Sequence, residues 1–534
     1  MDRSVPAALA SDLGRGFSRA RRDSRGPELR LCVDRAGMSE ALRSDCLTRG
    51  AVTRPTRRMR SVIFDTAAND LGKQNIRLRG YEVRGAAFVE LSWSRALGEG
   101  AACSSIELRA PTLDLGKMLG FSEELRRQIG DRPLEARCVA ETERGERLLE
   151  LEDARIAVGF DHGFVEYCGR RTPFHEIELR LVEGAESRLW RLAAELARRA
   201  PARCLPMSAV ELSLCEVAGR KIGAVKARRA PLDPRASLDD AIVAMLGSCL
   251  DHFLANWPAL VHSPRPEEAI HQMRVALRRL RAGVGLLRRG VVGEGLETAG
   301  ARAKAIAATL GEARNLDVLK EMLADGPLAQ TSPEPSFFAL LDAVECRRAE
   351  RHAAAQRLVM APETTQFVLD LRATLAARDW TARAADAGGG GRGDAPLDPR
   401  APGSARVFAA RSLDRLHRKA MKKSRGLATL APAQRHQARI AFKKARYAAE
   451  FFETLFDAST RARKYLRRTA ALQDRLGAAN DMAVAADLLR EIGEDRKAVA
   501  PASAFAVGWC AHAGGATDWR KAEKALKKLE PFWR

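Results

Sequence analysis

The sequence predicts an α+β multidomain chain: an antiparallel sheet able to close into a barrel, followed by an all-α part built as a duplicated pair of four-helix bundles. Three observations carry this. Between Glu28 and Leu181, short apolar runs alternate with period two and are separated by Gly, Asp and Pro. After Ala230-Pro-Leu-Asp-Pro234 the apolar period becomes that of helices and stays so to the end. In that helical part a histidine-headed row of cations occurs twice, at His271 and at His436.

In chain order, residues 1–26 are Arg, Ser, Ala and Gly without periodicity, the composition of a disordered basic N-terminus. The first domain is placed at 27–220. Its expected strands are Glu28–Val33, Arg60–Phe64, Ile76–Arg79, Ala87–Leu91, Ser105–Arg109, Glu135–Val139, Arg147–Leu151, Ala154–Phe160, Gly163–Tyr167 and His175–Leu181. Helices are expected near Gly37–Arg49, Phe121–Ile129 and Gly184–Arg199. The second domain, 230–534, divides into a first repeat at about 235–380, a Gly-rich linker at 386–404 and a second repeat at about 405–534. Helices of bundle length are expected near 237–256, 265–289, 297–325, 335–358, 362–380, 404–427, 432–456 and 459–492, with a weaker, strongly basic one at Trp519–Leu529.

Composition narrows the partner. The chain has 534 residues, too many for one core, and a formal charge of +22. So basic a protein calls for an anionic partner such as nucleic acid, polyphosphate or a phosphate-rich surface, unless the arginines only reflect a GC-rich genome. Ten cysteines run from Cys32 to Cys510 without a C-x-x-C pair, which argues against a disulfide frame or zinc site and for a reducing compartment. The N-terminal apolar stretch Val5–Ala10 is too short for a secretory segment, and no run of about 18 apolar residues is long enough to span a bilayer. A cytoplasmic protein without a membrane partner is expected.

The two rows define the candidate site. The first is His271-Gln-Met-Arg274-Val-Ala-Leu-Arg278-Arg279-Leu-Arg281; the second is His436-Gln-Ala-Arg439-Ile-Ala-Phe-Lys443-Lys444-Ala-Arg446. Spacings of three and four put 271, 274, 278 and 281 on one helix face, with Met273, Leu277, Leu280, Val284 and Leu287 as a separate apolar stripe. In the second copy Phe442, Ala445, Ala449 and Phe452 make the stripe. A single basic helix face is usually just solvated. Its repetition, each copy followed by Asp317 or Asp481 at matched distance, marks a surface that something uses. Guanidinium forks and ammonium groups hold phosphate oxygens well, and a rail of them follows a linear polyphosphate without reading any sequence. Arg302, Lys304 and Arg314 join the first row as candidates. The histidines add donors and gain charge near pH 6.5. Arg314, Asp317 and Asp481, and likewise Asp474 and Asn480, either orient the rows or cap and pair locally. Basic rows without interleaved aromatics disfavour nucleic acid as the specific partner.

These paired motifs, with Tyr447 and the Leu472-Gln-Asp…Asn480-Asp481 run, resemble the CHAD family, a conserved-histidine all-helical domain. The resemblance covers about residues 230–530 and implies inorganic polyphosphate binding on basic helix faces, with no cofactor required. Attachment to polyphosphate granules, regulation of another enzyme and storage handling all fit such binding. CHAD domains often follow a CYTH domain, an antiparallel tunnel that binds or hydrolyses triphosphates with a divalent metal. The N-terminal region looks like one at Phe64-Asp65-Thr66, Ile76-Arg77-Leu78-Arg79, Asp161-His-Gly163 and Glu176-Ile-Glu178.

In that comparison Arg77, Arg79 and Arg144 are candidates for an anion in the tunnel, and Glu28, Glu176 and Glu178 for a metal, Mg or Mn. The family carries Glu, Glu and Lys where this chain has Glu28, Arg30 and Cys32, and its further lysine is replaced by Ser92. Arg30 puts a cation where a metal's carboxylate should stand. The expectation is therefore a polyphosphate-binding protein with an inactive tunnel. The alternatives are a metal-dependent triphosphatase acting in that tunnel, and general nucleic-acid binding.

Overall fold

In the computed structural model of the chain, the described residues are 27–48, 50–74, 76–83, 86–94, 103–110, 130, 132–204, 206–217, 221–330, 335–382, 397–456, 459–515, 519–526 and 528–534. They form two compact units. One runs up to Gly223 and takes in 262–264 and 360–373; the other holds the rest.

The first unit is a nine-stranded antiparallel sheet. Its strands are β1 (Glu28–Val33), β2 (Ala51–Thr66), β3 (Ile76–Val83), β4 (Ala86–Ser94), β5 (Cys103–Ala110), β6 (Leu134–Leu151), β7 (Ala154–Tyr167), β8 (Arg170–Gly184) and β9 (Ala202–Cys204), in the order β5-β4-β3-β2-β6-β7-β8-β1-β9. Two pairs of expected strands fuse into β6 and β7. Their glycines had marked breaks, yet Gly145 pairs with Phe160 and Gly163 with Thr142 in unbroken register. Gly163 is needed for that pairing, because a Cβ there would lie 1.9 Å from the Glu141 carbonyl oxygen. The expected Gly37–Arg49 helix is two pieces, Arg35–Arg43 and Asp45–Thr48, and the helix expected at Phe121–Ile129 lies outside the described residues.

Period two sorts the side chains to two faces. Leu31, Val33, Ile156, Val158, Phe160, Ile177 and Leu179 are buried on one. Helix α1 (Glu186–Arg199) packs there on β7 and β8, burying Leu189, Leu192, Ala193 and Leu196. Each of these leucines contributes about 1.5–3 kcal/mol. The opposite face is apolar at one end, where Leu214 of helix α2 (Ala209–Val217) joins Ile63, Cys138, Ala140, Val165 and Phe174. Further along it turns charged, at Arg30, Arg144, Asp161, Glu176 and Glu178.

The second unit is helical. Its principal helices are α3 (Leu238–Ala255), α4 (Pro266–Leu287), α5 (Glu294–Ala324), α6 (Pro335–Met360), α7 (Ser404–Lys423), α8 (Pro432–Phe452), α9 (Ser459–Asp495), α10 (Ala500–Gly515) and α11 (Trp519–Leu526). The expected stripes are its core: Met273, Leu277, Leu280, Val284 and Leu287 on α4, and Phe442, Ala445, Ala449 and Phe452 on α8, are all buried. The helices form two groups of four, but not one per repeat on either side of the Gly-rich linker as expected: each group draws on both repeats. Helices α3 and α4 pack with α7 and α8. Helices α5 and α6 share a core with α9 and α10 through Leu319, Leu340, Leu489 and Ala506.

The segment before α3 and the end of the expected linker both belong to this unit. Val225 exchanges backbone hydrogen bonds with the buried Asn256 side chain, and the Asp239 N–H donates to the Pro399 carbonyl. The linker's end, from 397, is thereby fixed to the start of α3. No helix among the described residues is long and apolar enough to cross a membrane.

Candidate anion-binding site

The two cationic rows meet. Helix α4 packs on α8, so that Arg278 and Arg439 act on Arg274, and all three arginines on Lys443, closely enough to depress the proton affinity of Arg274 and Lys443. Burial, then Arg278, pulls Arg274 below its ordinary value, with Arg439 adding to the effect. Burial lowers Arg439 too, with Asp481 opposing. The rows are one cluster of four cations, where the sequence placed them as two halves.

Acids near the cluster are few. Asp481 lies 3.8 Å from Arg439, and Glu450 pairs with Arg446 on the same helix at 2.9 Å. The Tyr447 ring lies between guanidiniums, 5.6 Å from Arg278 and 5.2 Å from Arg446. Buried donors at Arg278 Nε, Arg439 Nε and Arg446 Nε, and the Tyr447 hydroxyl, have no hydrogen-bond partner among the described residues. Like charges held together with unused donors are costly without an anion and useful with one.

The histidines sit beside the cluster. Burial lowers His271, as do Arg314, Arg278 and Arg274, while Glu268 opposes them. His271 is therefore neutral near pH 7, and Arg314 of α5 belongs at this end of the site. His436 Nδ1 donates to Asn480 Oδ1 at 2.9 Å, which leaves Nε2 as the acceptor. Asn480 and Asp481 thus orient the second row. Asp317 does something else: it takes His352 at 2.7 Å and Arg348 at 3.6 Å, and is not paired with the row.

Other candidates lie elsewhere. Arg279 is buried, with its guanidinium 5.3 Å from the Phe451 ring centre, because it is about 100° round the helix from Arg278. Lys444 is exposed and turned by the same angle from Lys443, and Arg281 is exposed at the row's end. Arg302 and Lys304 are exposed on α5, and two residues apart they are about 200° round the helix from each other.

One determinant escaped the sequence. A Cβ at Gly311 would lie 2.4 Å from Arg274 Nη1, so the missing side chain lets this guanidinium lie along α5, 3.4 Å from the Ala307 carbonyl oxygen. Gly311→Ala is expected to push Arg274 out of the cluster. Anion affinity should fall about tenfold, the worth of one charge-assisted hydrogen bond, while the melting temperature holds or rises, since alanine is the better helix former. Titration and thermal melting of the variant check this.

The charged face of the sheet is arranged differently. Arg144 donates to Asp161 at 3.0 Å and to Glu178 at 2.9 Å, and Arg30 lies 3.4 Å from Glu178 and 3.8 Å from both Glu28 and Glu211. Glu176 accepts the Ala209 N–H at 2.6 Å and so tethers the start of α2. Burial lifts Asp161 to about 6 despite Arg144. Burial also pushes on Glu178, but Arg144 and Arg30 hold it below its ordinary value.

Glu28, Glu176 and Glu178, expected as a metal set, are spoken for by Arg30, Arg144 and a helix N–H, and no cluster of three metal-ligating side chains occurs among the described residues. The residues present do not fit a divalent metal. Arg144, expected to meet an anion, already holds two carboxylates. Arg79 lies 5.2 Å over the Tyr81 ring, and the Arg77 side chain is outside the described residues.

The fold that carries the cluster is a duplicated helical domain preceded by an antiparallel sheet domain. Residues 244–490 match the family model for the CHAD domain. A CHAD domain from the plant Ricinus communis is 30% identical, over 58% of this chain and 98% of its own, with a TM-score of 0.49. The chain belongs to the CHAD family. PptA from Streptomyces chartreusis is 19% identical over 55% of this chain and 99% of its own, TM-score 0.38. On the sheet side, a Hippeastrum protein described as an adenylyl cyclase with a dominant triphosphatase activity is 18% identical over 35% of this chain and 94% of its own, TM-score 0.26. Comparison with curated proteins gave no match.

Proposed function

We propose that the helical domain binds inorganic polyphosphate where the two rows join, and that the sheet domain is a tunnel-type scaffold that does not hydrolyse triphosphates. One observation supports the first statement above all: Arg274, Arg278, Arg439 and Lys443 act on one another as a group, and Asp481 opposes the three arginines at Lys443 only weakly. A flexible chain of phosphates supplies the missing negative charge and the acceptors for the unused donors. Binding needs no metal or organic cofactor. The second statement rests on Arg30 and Arg144 neutralising the carboxylates that a metal would need. A cytoplasmic protein on polyphosphate granules fits both.

Titrating long-chain polyphosphate and duplex DNA at two salt concentrations tests the ligand. Polyphosphate should bind more tightly at both, whereas equal affinities would reduce the interaction to net charge. The tunnel's part is tested by phosphate release from tripolyphosphate with Mg²⁺ or Mn²⁺. No release is expected, and release that Glu176→Gln with Glu178→Gln abolishes would restore the enzyme reading.

A further inference from the structure

Lys443 lies one turn of α8 after Arg439 and one turn before Tyr447; α8 packs on α4, and the Arg278 guanidinium of α4 lies 5.6 Å from the Tyr447 ring, which sets the charges of Arg274 and Arg278 beside Lys443. Of the remaining groups around the cluster, α4 contributes His271 and Arg281 and α5 contributes Arg314. Helix α8 contributes Tyr447, and Arg446 held by Glu450; Asp481 of α9 is turned to Arg439. His436 is held by Asn480. Guanidiniums do not give up their charge near neutral pH, whereas a half-buried ammonium does. His271 is already neutral near pH 7, so above that pH the outlet for the crowd of cations is the Lys443 amine. Burial, then Arg439, Arg278 and Arg274, pull Lys443 down to about 7, against a small opposing effect of Asp481.

We propose that anion binding at this cluster is coupled to proton uptake: the free site holds Lys443 as a neutral amine, and the occupied site holds it as an ammonium. This rests on the polyphosphate reading and adds its regulation. A phosphate chain laid along Arg274, Arg278 and Arg439 cancels the repulsion that expelled the proton, so the amine regains it from solvent. The ligand that gains most is a fully ionised polyanion, which brings negative charge and no proton of its own. Affinity is highest at or below pH 7 and falls toward tenfold per pH unit above it, until the amine of the occupied site also titrates. Lys443→Arg keeps a permanent charge at the position and breaks the coupling while leaving a cation for the ligand.

Calorimetric titration of the full chain with long-chain polyphosphate at pH 8, in Tris and in HEPES, reads the protons directly. Between half a proton and one proton per site should be taken up by the wild type, and close to none by Lys443→Arg. Heats independent of buffer in the wild type, or the same uptake in the variant, would overturn the coupling. The free protein is tested separately, by the pH dependence of acetylation at Lys443 followed by peptide mass spectrometry. A midpoint near 7 is expected, and one above 9 sinks the proposal whatever the ligand does. Absence of polyphosphate binding with a midpoint near 7 would overturn the ligand reading, and the coupling with it, while leaving the neutral amine standing.

Discussion

Replacing Arg274, Arg278, Arg439 and Lys443 together by glutamine is expected to abolish polyphosphate binding and to make the protein more stable. Each lost charge-assisted contact is worth about 1.5–3 kcal/mol, so four remove more than about a thousandfold in affinity. The stability gain follows from the sign of the lysine shift. Lys443 releases its proton more readily in the folded chain than in the unfolded one, so it penalises folding below about pH 7. That penalty fades as pH rises from 7 toward the ordinary lysine range. With screening at this half-exposed position, relief at pH 7 is about 1–2 kcal/mol. Circular dichroism should show unchanged helicity and a raised melting temperature, and the pH-dependent rise between 7 and 10 should disappear. Retained binding would move the site elsewhere; a lowered melting temperature would refute the strain.

The sheet domain responds in the opposite direction. Arg144→Ala should destabilise the protein by about 3 kcal/mol, because it strands the mostly buried Asp161 and leaves Glu178 with Arg30 alone. Asp161 already sits at about 6, above its ordinary value, so its contribution to stability is present at low pH and is lost as pH rises through 6. Glu178, held low, contributes above its ordinary range and loses that contribution on acidification. Without Arg144 both carboxyls rise, and the loss in melting temperature should be larger at pH 8 than at pH 5. Equal losses at the two values would mean that Arg144 acts through packing alone.

The element types were legible because periodicity is local. Both cationic helices and their apolar stripes follow from spacings of three and four, and the sheet from alternation. The meeting of the rows was not legible, since it depends on α4 packing against α8, residues far apart in sequence. Helix phase alone separates Arg302 from Lys304 and Arg279 from Arg278, so those candidates were open to exclusion from the sequence. Gly311 gave no signal, because a glycine in a helical pattern acquires meaning only when a guanidinium lies against it. On the sheet, the suspicion attached to Arg30 came from residue type. The role of Arg144 needed the register that sets Arg144 opposite Asp161, and Gly159, next but one along β7, opposite Glu178.

The exchange of helices between repeats bears on how the domain is made. Neither repeat has a complete core of its own: α3 and α4 lack a lid until α7 and α8 are synthesised, and α5 and α6 wait for α9 and α10. The first repeat by itself would leave these apolar faces uncovered. An interlocked pair of this kind is the geometry of a two-fold dimer whose subunits have been joined in one chain. Severed within 383–396, the halves should be unstable singly and regain structure as a complex when mixed.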